Sequence, residues 1–246
     1  MRGRVLVVAG SDSGGGAGIQ ADIKTIMALG GYAMTAITAL TAQNTTGVHG
    51  IHPVPPDFVA RQMVLCLEDL GADVIKTGML NTSVVALAVA DVIERLAPDV
   101  PLVVDPVMVA KGGAALLSDT ATRVVIERLL PRAALLTPNV PEAEVLLGEA
   151  ISDEDGMVDA ASRLLSLGPA AILLKGGHLD GGTVTDILAT REGVLRFSGP
   201  RLPITNTHGT GCTLASAIAC GLAQRMDLPA AVVRSRWYVA RAIATA

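Results

Sequence analysis

The chain carries the stretch Thr207-His208-Gly209-Thr210-Gly211-Cys212-Thr213-Leu214-Ala215-Ser216-Ala217-Ile218-Ala219, in which two glycines bracket a threonine ahead of a small-residue apolar run. Glycine permits positive φ and close approach of a ligand to the backbone. A helix that begins here directs unpaired N–H groups and the positive end of its dipole into the turn. The pattern predicts an anion site, most often for phosphate, at Gly209, Thr210 and Gly211, with the Cys212 thiol at the helix start. The alternative is a turn that only starts the helix, because such short motifs also arise by chance.

Upstream of this turn, short β-branched runs alternate with helical patterns. This alternation predicts a mostly parallel sheet with helices on both faces. The segments Val184 to Ala189 and Val194 to Ser198 predict a hairpin, the one clearly antiparallel piece. In open α/β sheets, ligands bind at the carboxyl edge of the strands. Polar residues collect at the predicted strand ends: Ser11, Asp12, Gln43, Asn44, Lys76, Asp105, Asn139, Glu142 and Lys175.

The ends of several helices are also predicted. Asn81 can cap a helix that runs to about Leu96. The sequence Lys111-Gly112-Gly113 predicts a loop, after which Ser118 or Asp119 caps the next helix.

Composition limits the class of protein. The 246 residues fit one α/β domain spanning residues 1–246, and half of them are hydrophobic. A net charge of −4 without a basic run argues against nucleic-acid binding. No window of about 18 uncharged apolar residues predicts a membrane span. Three cysteines without C-x-x-C spacing favour a reducing compartment, so we expect a cytoplasmic protein.

Known nucleotide-binding and hydrolase motifs narrow the possibilities further. A G-x-x-x-x-G-K-[ST] phosphate loop and a G-x-S-x-G nucleophile elbow are both missing from the sequence. Gly16, Gly18 and Ala21 match the G-x-G-x-x-A dinucleotide fingerprint by letter. These glycines begin six residues after the strand-ending Gly10, and no acidic residue ends the next strand, so a dinucleotide-binding oxidoreductase is only the third hypothesis.

The remaining polar residues suit phosphoryl transfer, which needs positioning, a metal that bridges phosphates and nearby positive charge. Asp105 and Glu142 could serve Mg²⁺, which takes few carboxylates and several waters, or could be helix caps or surface acids. Cys212 at a helix N-terminus could have a lowered pKa and accept a proton from a substrate hydroxyl, or could simply pack in the turn. Gln43 could donate to and accept from the edge of a heteroaromatic ring, or lie in a solvated loop.

Several longer motifs together resemble the hydroxymethylpyrimidine/phosphomethylpyrimidine kinases of thiamine biosynthesis, a branch of the ribokinase-like superfamily. The resemblance covers essentially the whole chain. Its motifs are Gly15-Gly16-Ala17-Gly18-Ile19-Gln20-Ala21-Asp22, Thr41-Ala42-Gln43-Asn44-Thr45, Lys76-Thr77-Gly78-Met79-Leu80, Val104-Asp105-Pro106-Val107-Met108, Thr137-Pro138-Asn139-Val140-Pro141-Glu142-Ala143, Lys175-Gly176-Gly177-His178 and Asn206-Thr207-His208-Gly209-Thr210-Gly211-Cys212-Thr213.

This resemblance implies a three-layer α/β/α sandwich. It also implies ATP- and Mg²⁺-dependent phosphorylation of 4-amino-5-hydroxymethyl-2-methylpyrimidine and then of its monophosphate, by a homodimer. Cys212 would stand where most superfamily members have an aspartate base, beside the anion hole of Gly209, Thr210 and Gly211. Roles implied for the other positions are substrate binding by Gln43, Asp22, Met79, Gly10, Ala17 and Val107, nucleotide binding by Asn139 and Lys175, and metal binding by Asp105 and Glu142. Such kinases usually continue through a Gly-rich tail, whereas this sequence stops at Ala246.

Two rivals to this function come from the same fold. One is a pyridoxal or pyridoxine kinase, since some related kinases phosphorylate that ring. The other is a non-catalytic pyrimidine-binding protein, against which the Asn139/Glu142 pair and Cys212 argue.

Overall fold

A computed structural model describes residues 3–108, 118–204 and 206–245. The described residues contain nine strands in one sheet. These strands are β1 (Arg4–Asp12), β2 (Tyr32–Gln43), β3 (Val48–Pro53), β4 (Val74–Thr77), β5 (Leu102–Val104), β6 (Ala133–Leu136), β7 (Ala171–Leu174), β8 (Thr183–Thr190) and β9 (Gly193–Pro200). Their order across the sheet is β3-β2-β1-β4-β5-β6-β7-β8-β9.

Eight α-helices occur in the described part of the chain. They are α1 (Gly18–Ala28), α2 (Pro56–Asp69), α3 (Ser83–Leu96), α4 (Asp119–Val124), α5 (Val140–Leu147), α6 (Glu154–Leu164), α7 (Thr210–Ala223) and α8 (Leu228–Ala244). A π-helical turn and a 3₁₀ turn follow α4, and a 3₁₀ turn follows α6. Helices α2 to α6 cover one face of the sheet, and α1, α7 and α8 cover the other.

The inner strands are parallel from β2 through β7. Burial on both faces explains their continuous apolar runs, since each strand must be apolar toward both helical layers. In β4, for example, Ile75 packs in one apolar core and Val74 in the other. The predicted three-layer α/β/α fold with a mostly parallel sheet is confirmed.

Antiparallel pairing is more extensive than the sequence predicts. The expected hairpin is present as β8 and β9, but β8 also pairs antiparallel with β7, and β3 pairs antiparallel with β2. Strand β3 has the sequence Val48-His49-Gly50-Ile51-His52-Pro53 and is mostly exposed. Because it is an edge strand with little core contact, its sequence carries no alternation of apolar and polar residues.

Two predicted helix ends need comment. Asn81 does not cap α3: its φ is +67°, and Thr82 Oγ1 accepts from the Val85 N–H instead. Ser118 caps α4 by accepting from the Ala121 N–H. The predicted loop Lys111-Gly112-Gly113 lies outside the described residues.

The carboxyl ends of the parallel strands meet at one edge of the sheet. Asp12 and Gln43 end β1 and β2, and Asp105, Asn139 and Lys175 follow β5, β6 and β7 closely. The sheet thereby brings residues from all parts of the chain to one edge, as expected for an α/β ligand site.

Candidate active site

The predicted anion turn forms the N-terminus of α7. Gly209 is the N-cap residue with φ +76°, and Thr210, Gly211 and Cys212 form the first turn. The first N–H groups of a helix lack acceptors within it, so this turn directs hydrogen-bond donors outward. A Cβ on Gly211 would stand 3.3 Å from Lys175 Nζ. The Lys175 ammonium therefore lies at the mouth of α7, where its charge adds to the dipole of the helix.

The turn is fitted against the loop that follows β1. The Asp12 carboxylate accepts from the N–H groups of Gly14 (2.8 Å), Gly16 (3.1 Å) and Ala17 (2.8 Å). His208 Nε2 lies 2.9 Å from Asp12 Oδ2 and ties this loop to the anion turn. These hydrogen bonds hold the pKa of Asp12 below its ordinary value, although burial acts in the opposite direction. A Cβ on Gly209 would lie only 1.7 Å from the carbonyl oxygen of Gly16, so the two segments meet backbone to backbone.

Part of the predicted substrate set comes together beside this loop. A Cβ on Gly10 would lie 3.2 Å from Met79 Sδ, and Met79 packs with Val48 and Val107. Gln43 pairs with Val48 across β2 and β3, and this pairing brings Gln43 next to the apolar cluster. Together these residues provide an apolar floor and an amide at its edge, a combination that suits a small heteroaromatic ring.

Gln43 and Val107 show how the rim is built. Gln43 Oε1 accepts from Thr41 Oγ1 at 3.0 Å, which fixes the amide with its Nε2 donors on the other side. Val107 has φ +41°, an outlier for a β-branched residue. Ala17 is the N-cap residue of α1, and its Cα would lie 3.1 Å from a Cβ on Gly209 of the anion turn.

The structure buries Asp22 completely inside the protein. Its side chain is fully buried, where it accepts from Lys76 Nζ at 3.1 Å and from Ser216 Oγ at 2.6 Å. Both carboxylate oxygens thus have partners inside the protein, since Lys76 reaches the second oxygen at 3.2 Å. Asp22 underlies the site instead of lining its surface.

The two residues predicted to serve the metal lie next to Lys175. Asp105 Oδ1 is 3.2 Å from Lys175 Nζ and 3.3 Å from Thr137 Oγ1. Glu142 Oε2 accepts from the Asn139 N–H at 2.9 Å, and Asn139 Oδ1 accepts from the Glu142 N–H at 2.8 Å. This reciprocal pair is a capping box that starts α5. Burial raises the pKa of Glu142, and the charge of Lys175 opposes the rise.

These carboxylates do not form a closed metal cage. Both Glu142 oxygens accept backbone N–H groups, the second from Met108 at 3.4 Å. Within residues 3–108, 118–204 and 206–245, no group of three or more His, Cys, Asp or Glu side chains could hold an ion. Two hard oxygen donors of this kind fit Mg²⁺ held mainly by water and substrate phosphates.

The pKa of Cys212 is shifted upward, opposite to the lowering that a helix N-terminus would favour. Burial raises the pKa of the Cys212 thiol to about 11, against the effects of the Lys76 charge and the Gly18 N–H. The expectation of a lowered pKa at this helix N-terminus is therefore wrong for the free protein. Desolvation of the thiolate, together with the carboxylates of Asp105 and Asp22, outweighs the helix end.

Two cavities lie near the site, and only one of them is lined by residues of the anion turn. One of about 200 Å³ opens beside the anion turn, between Thr210 and Thr213 of α7 and an apolar wall of Val239, Ala242 and Ile243 on α8. A larger groove of about 680 Å³ lies between the start of α6 and the loop after β7, and its lining does not include the anion turn.

Three polar contacts at the site are not predicted by the sequence. They are the Asp12–His208 pair, the buried Lys76–Asp22–Ser216 cluster and the ion pair of Asp186 with Arg236. In the last, Asp186 Oδ1 also accepts from the Gly176 N–H at 2.9 Å, so α8 is tied to the loop that carries Lys175. The sequence separations are 196 positions for Asp12 and His208, 54 for Asp22 and Lys76, and 50 for Asp186 and Arg236. No local sequence pattern encodes pairings over such separations. One feature of the sequence could have indicated a buried polar contact: Ser216 is a polar residue within the apolar helix α7.

The fold and this site define a small-molecule kinase of the ribokinase-like class. A sequence model of the family described as phosphomethylpyrimidine kinase matches residues 12–246. The chain belongs to the phosphomethylpyrimidine kinase family.

Two curated relatives illustrate the similarity. The thiamine biosynthesis bifunctional protein ThiED of Geobacter sulfurreducens is 54% identical over 98% of this chain, which spans only 49% of that longer protein. The hydroxymethylpyrimidine/phosphomethylpyrimidine kinase of Streptomyces coelicolor is 47% identical over 97% of this chain and 88% of its own length.

Two solved structures share the fold. The phosphomethylpyrimidine kinase of Clostridium difficile has a TM-score of 0.86 at 40% identity, with 98% of this chain and 99% of that chain covered. The pyridoxal kinase of Staphylococcus aureus in complex with ADP has a TM-score of 0.91 at 34% identity, with 99% and 88% covered. The family and this nucleotide complex support ATP as the phosphoryl donor.

No helix in the described part of the chain is both long enough and apolar enough to cross a membrane.

Proposed function

We propose that this protein transfers the γ-phosphoryl group of ATP to 4-amino-5-hydroxymethyl-2-methylpyrimidine and then to the resulting monophosphate, giving the diphosphate. The observation that carries the proposal is the Lys175 ammonium beside the first turn of α7, with the apolar cluster of Gly10, Met79 and Val107 nearby at the same sheet edge. Backbone donors and a lysine suit the negative charge that develops on a transferred phosphoryl group.

The ring of the substrate fits the apolar cluster. Met79 and Val107 would contact its faces, and Gly10 and Ala17 would leave room for it. The Gln43 amide would pair with the ring edge, because its Nε2 donates while Oε1 is held by Thr41. The hydroxymethyl group would then point toward Cys212.

In the transfer step, the substrate hydroxyl oxygen forms a bond to the γ-phosphorus as the bond from that phosphorus to the β,γ-bridging oxygen breaks. ADP leaves with the electrons of the broken bond. The hydroxyl proton goes to the Cys212 sulfur in its thiolate form. The raised pKa of this thiol makes the thiolate a strong proton acceptor that is scarce at neutral pH.

ATP would lie with its phosphates at the anion turn, near Lys175 and Asn139. Its base would occupy the cavity of about 200 Å³ against the apolar residues of α8. Asp105 and Glu142 would hold Mg²⁺, in part through water. When bound, Mg²⁺ would neutralise phosphate charge.

The proposal includes a single kinase domain over residues 1–246 that works as a homodimer in the cytoplasm. Exposed Phe58 and Leu65 lie seven residues apart on one face of α2 and support a protein interface there. Light scattering after gel filtration tests the dimer, and a mass of one chain at micromolar concentration contradicts it.

The decisive experiment measures ADP release with ATP and Mg²⁺, using hydroxymethylpyrimidine and pyridoxal side by side. We expect the larger kcat/KM for hydroxymethylpyrimidine, and mass spectrometry should detect its diphosphate. A preference for pyridoxal would support the pyridoxal kinase alternative, since the pyridoxal kinase of Staphylococcus aureus shares this fold. A lack of ADP release with either ring would support a non-catalytic binding protein.

A further inference from the structure

A charged cluster lies fully buried beneath the anion turn. Lys76, Asp22 and Ser216 each have 0% exposure. Lys76 Nζ lies 3.1 and 3.2 Å from the two Asp22 oxygens, and Ser216 Oγ donates to Asp22 Oδ1 at 2.6 Å. The three side chains come from β4, α1 and α7, so the cluster joins three elements that build the site.

Two members of the cluster, Ser216 and Lys76, lie close to the site. Ser216 follows Cys212 by four residues in α7, so the two side chains lie on one face of the helix, one turn apart. A Cβ on Gly78 would lie 3.1 Å from Lys76 Nζ, next to Met79. The ammonium is therefore close to both the first turn of α7 and the apolar cluster.

Stability does not by itself explain this pair. Burying two charges is costly because both lose their hydration, and apolar replacements of buried ion pairs are often neutral or stabilising. Burial acts to lower the pKa of Lys76, but the Asp22 carboxylate outweighs it, so that the pKa is raised and the ammonium keeps its charge. A positive charge thus lies at a fully buried position under the site.

Four charged groups face Cys212 from different elements. Lys76 on β4 and Lys175 after β7 attract a thiolate, whereas Asp22 on α1 and Asp105 after β5 repel it. Lys175 is paired with Asp105 at 3.2 Å and would be engaged by phosphate during transfer. Lys76 has no access to solvent or to phosphate, so its charge stays available to the thiolate through the reaction.

Resting on the proposed phosphoryl transfer, we propose that Lys76 is a positioning residue, fixed by Asp22 and Ser216, whose buried ammonium supports the thiolate of Cys212. It contacts neither substrate nor nucleotide. Its effect reaches the reaction through the sulfur atom that takes the hydroxyl proton.

The test is the rate of iodoacetamide alkylation of Cys212 in the full chain without ligands, measured by mass spectrometry from pH 7 to 9. Half-buried Cys66 reports general access within the same molecules. Loss of the positive charge in Lys76→Met should slow Cys212 about tenfold relative to Cys66, since one unit of thiol pKa changes the thiolate fraction about tenfold. Asp22→Asn removes a negative charge, keeps the hydrogen-bonding shape and should speed Cys212.

Opposite directions for the two variants distinguish charge from mere disruption of the cluster, which would change both rates in the same direction. Equal rates for Lys76→Met and the wild-type protein, or a slower rate for Asp22→Asn, overturn the proposal. Should Lys76→Met not fold, Asp22→Asn alone decides by the same criterion. Because alkylation needs no substrate, its result is independent of whether the protein phosphorylates a pyrimidine.

In the kinase assay, Lys76→Met should lower kcat about tenfold with the KM for ATP unchanged. The surface pair of Arg4 and Asp73 offers a matched control, since Arg4→Met removes an ion pair far from Cys212 and should leave both alkylation and kcat unchanged.

Discussion

Replacing Gly209 with alanine tests how closely the anion turn is fitted to the loop after β1. The new Cβ would lie 1.7 Å from the Gly16 oxygen, 2.7 Å from the Gly16 carbonyl carbon and 3.1 Å from the Ala17 Cα. All three are backbone atoms, so no side chain can rotate away. The φ of +76° adds strain, because a side chain disfavours left-handed backbone.

The size of the effect follows from these distances. Close carbon–oxygen contacts in proteins are about 3.3 Å, so the turn or the loop must move by about 1.6 Å. A misplacement of about 1 Å can lower a rate about 100-fold. We expect Gly209→Ala to lower kcat/KM at least about 100-fold and the free energy of unfolding by about 3 kcal/mol.

Gly148 provides the matched control. It ends α5 with φ +75°, and a Cβ there would meet no atom within 4 Å. Gly148→Ala therefore isolates the backbone strain, which should cost about 1 kcal/mol and leave kcat/KM unchanged. Urea denaturation and coupled ADP release measure both quantities. If Gly209→Ala costs no more stability than Gly148→Ala and keeps its activity, the tight fit of turn and loop is refuted.

Three further predictions concern separate parts of the protein. Cys212→Ala should lower kcat about 100-fold or more, with Cys220→Ala as the control, and a near-normal kcat in Cys212→Ala would make Cys212 a packing residue. In the wild-type protein, kcat/KM should rise from pH 7 to 9 as the thiolate becomes more abundant. Gln43→Ala should raise the KM for the pyrimidine without changing that for ATP, and an unchanged pyrimidine KM would argue against pairing with the ring edge. The Arg4 side chain lowers the pKa of Asp73 to about 2, so the pair stabilises the fold above the ordinary pKa near 3.8 and loses its effect as pH falls toward 2; acid titration of the unfolding free energy should show a shallower fall in Arg4→Met, and identical titrations would contradict this role.

Sequence reasoning succeeds where one local cause determines the structure. The inner strands are predictable because burial on both faces demands continuous apolar runs. The start of α7 is predictable because Gly209 and Gly211, next to an apolar run, indicate a turn that needs the conformational freedom of glycine. Strand β3 escapes prediction because its pairing with β2 depends on backbone hydrogen bonds at an exposed edge, which leave little mark on side chains.

The sequence predicts which polar residues gather at the carboxyl edge of the sheet, but not which of them pair with one another. The family resemblance predicts that Asp22 and Cys212 lie near the ligand, but the sequence cannot reveal that Lys76 and Ser216 are bonded to the Asp22 carboxylate. Nor can it weigh desolvation of the Cys212 thiolate against the helix end, because burial depends on the packing of distant segments. Similarly, Asn139 and Glu142 are recognisable as a motif, yet only the structure shows them hydrogen-bonded to each other.

The bond between His208 and Asp12 spans 196 positions of the chain and bears on how the protein is made. At about 5 to 20 residues per second, a ribosome needs roughly 10 to 40 seconds to synthesise that interval. During this time Asp12 and the Gly14–Ala17 loop have been synthesised, but His208, which contacts Asp12, has not. A nascent chain released before α7 is made would carry strand β1 without the helix that packs beside it, and would present apolar surface to chaperones or proteases.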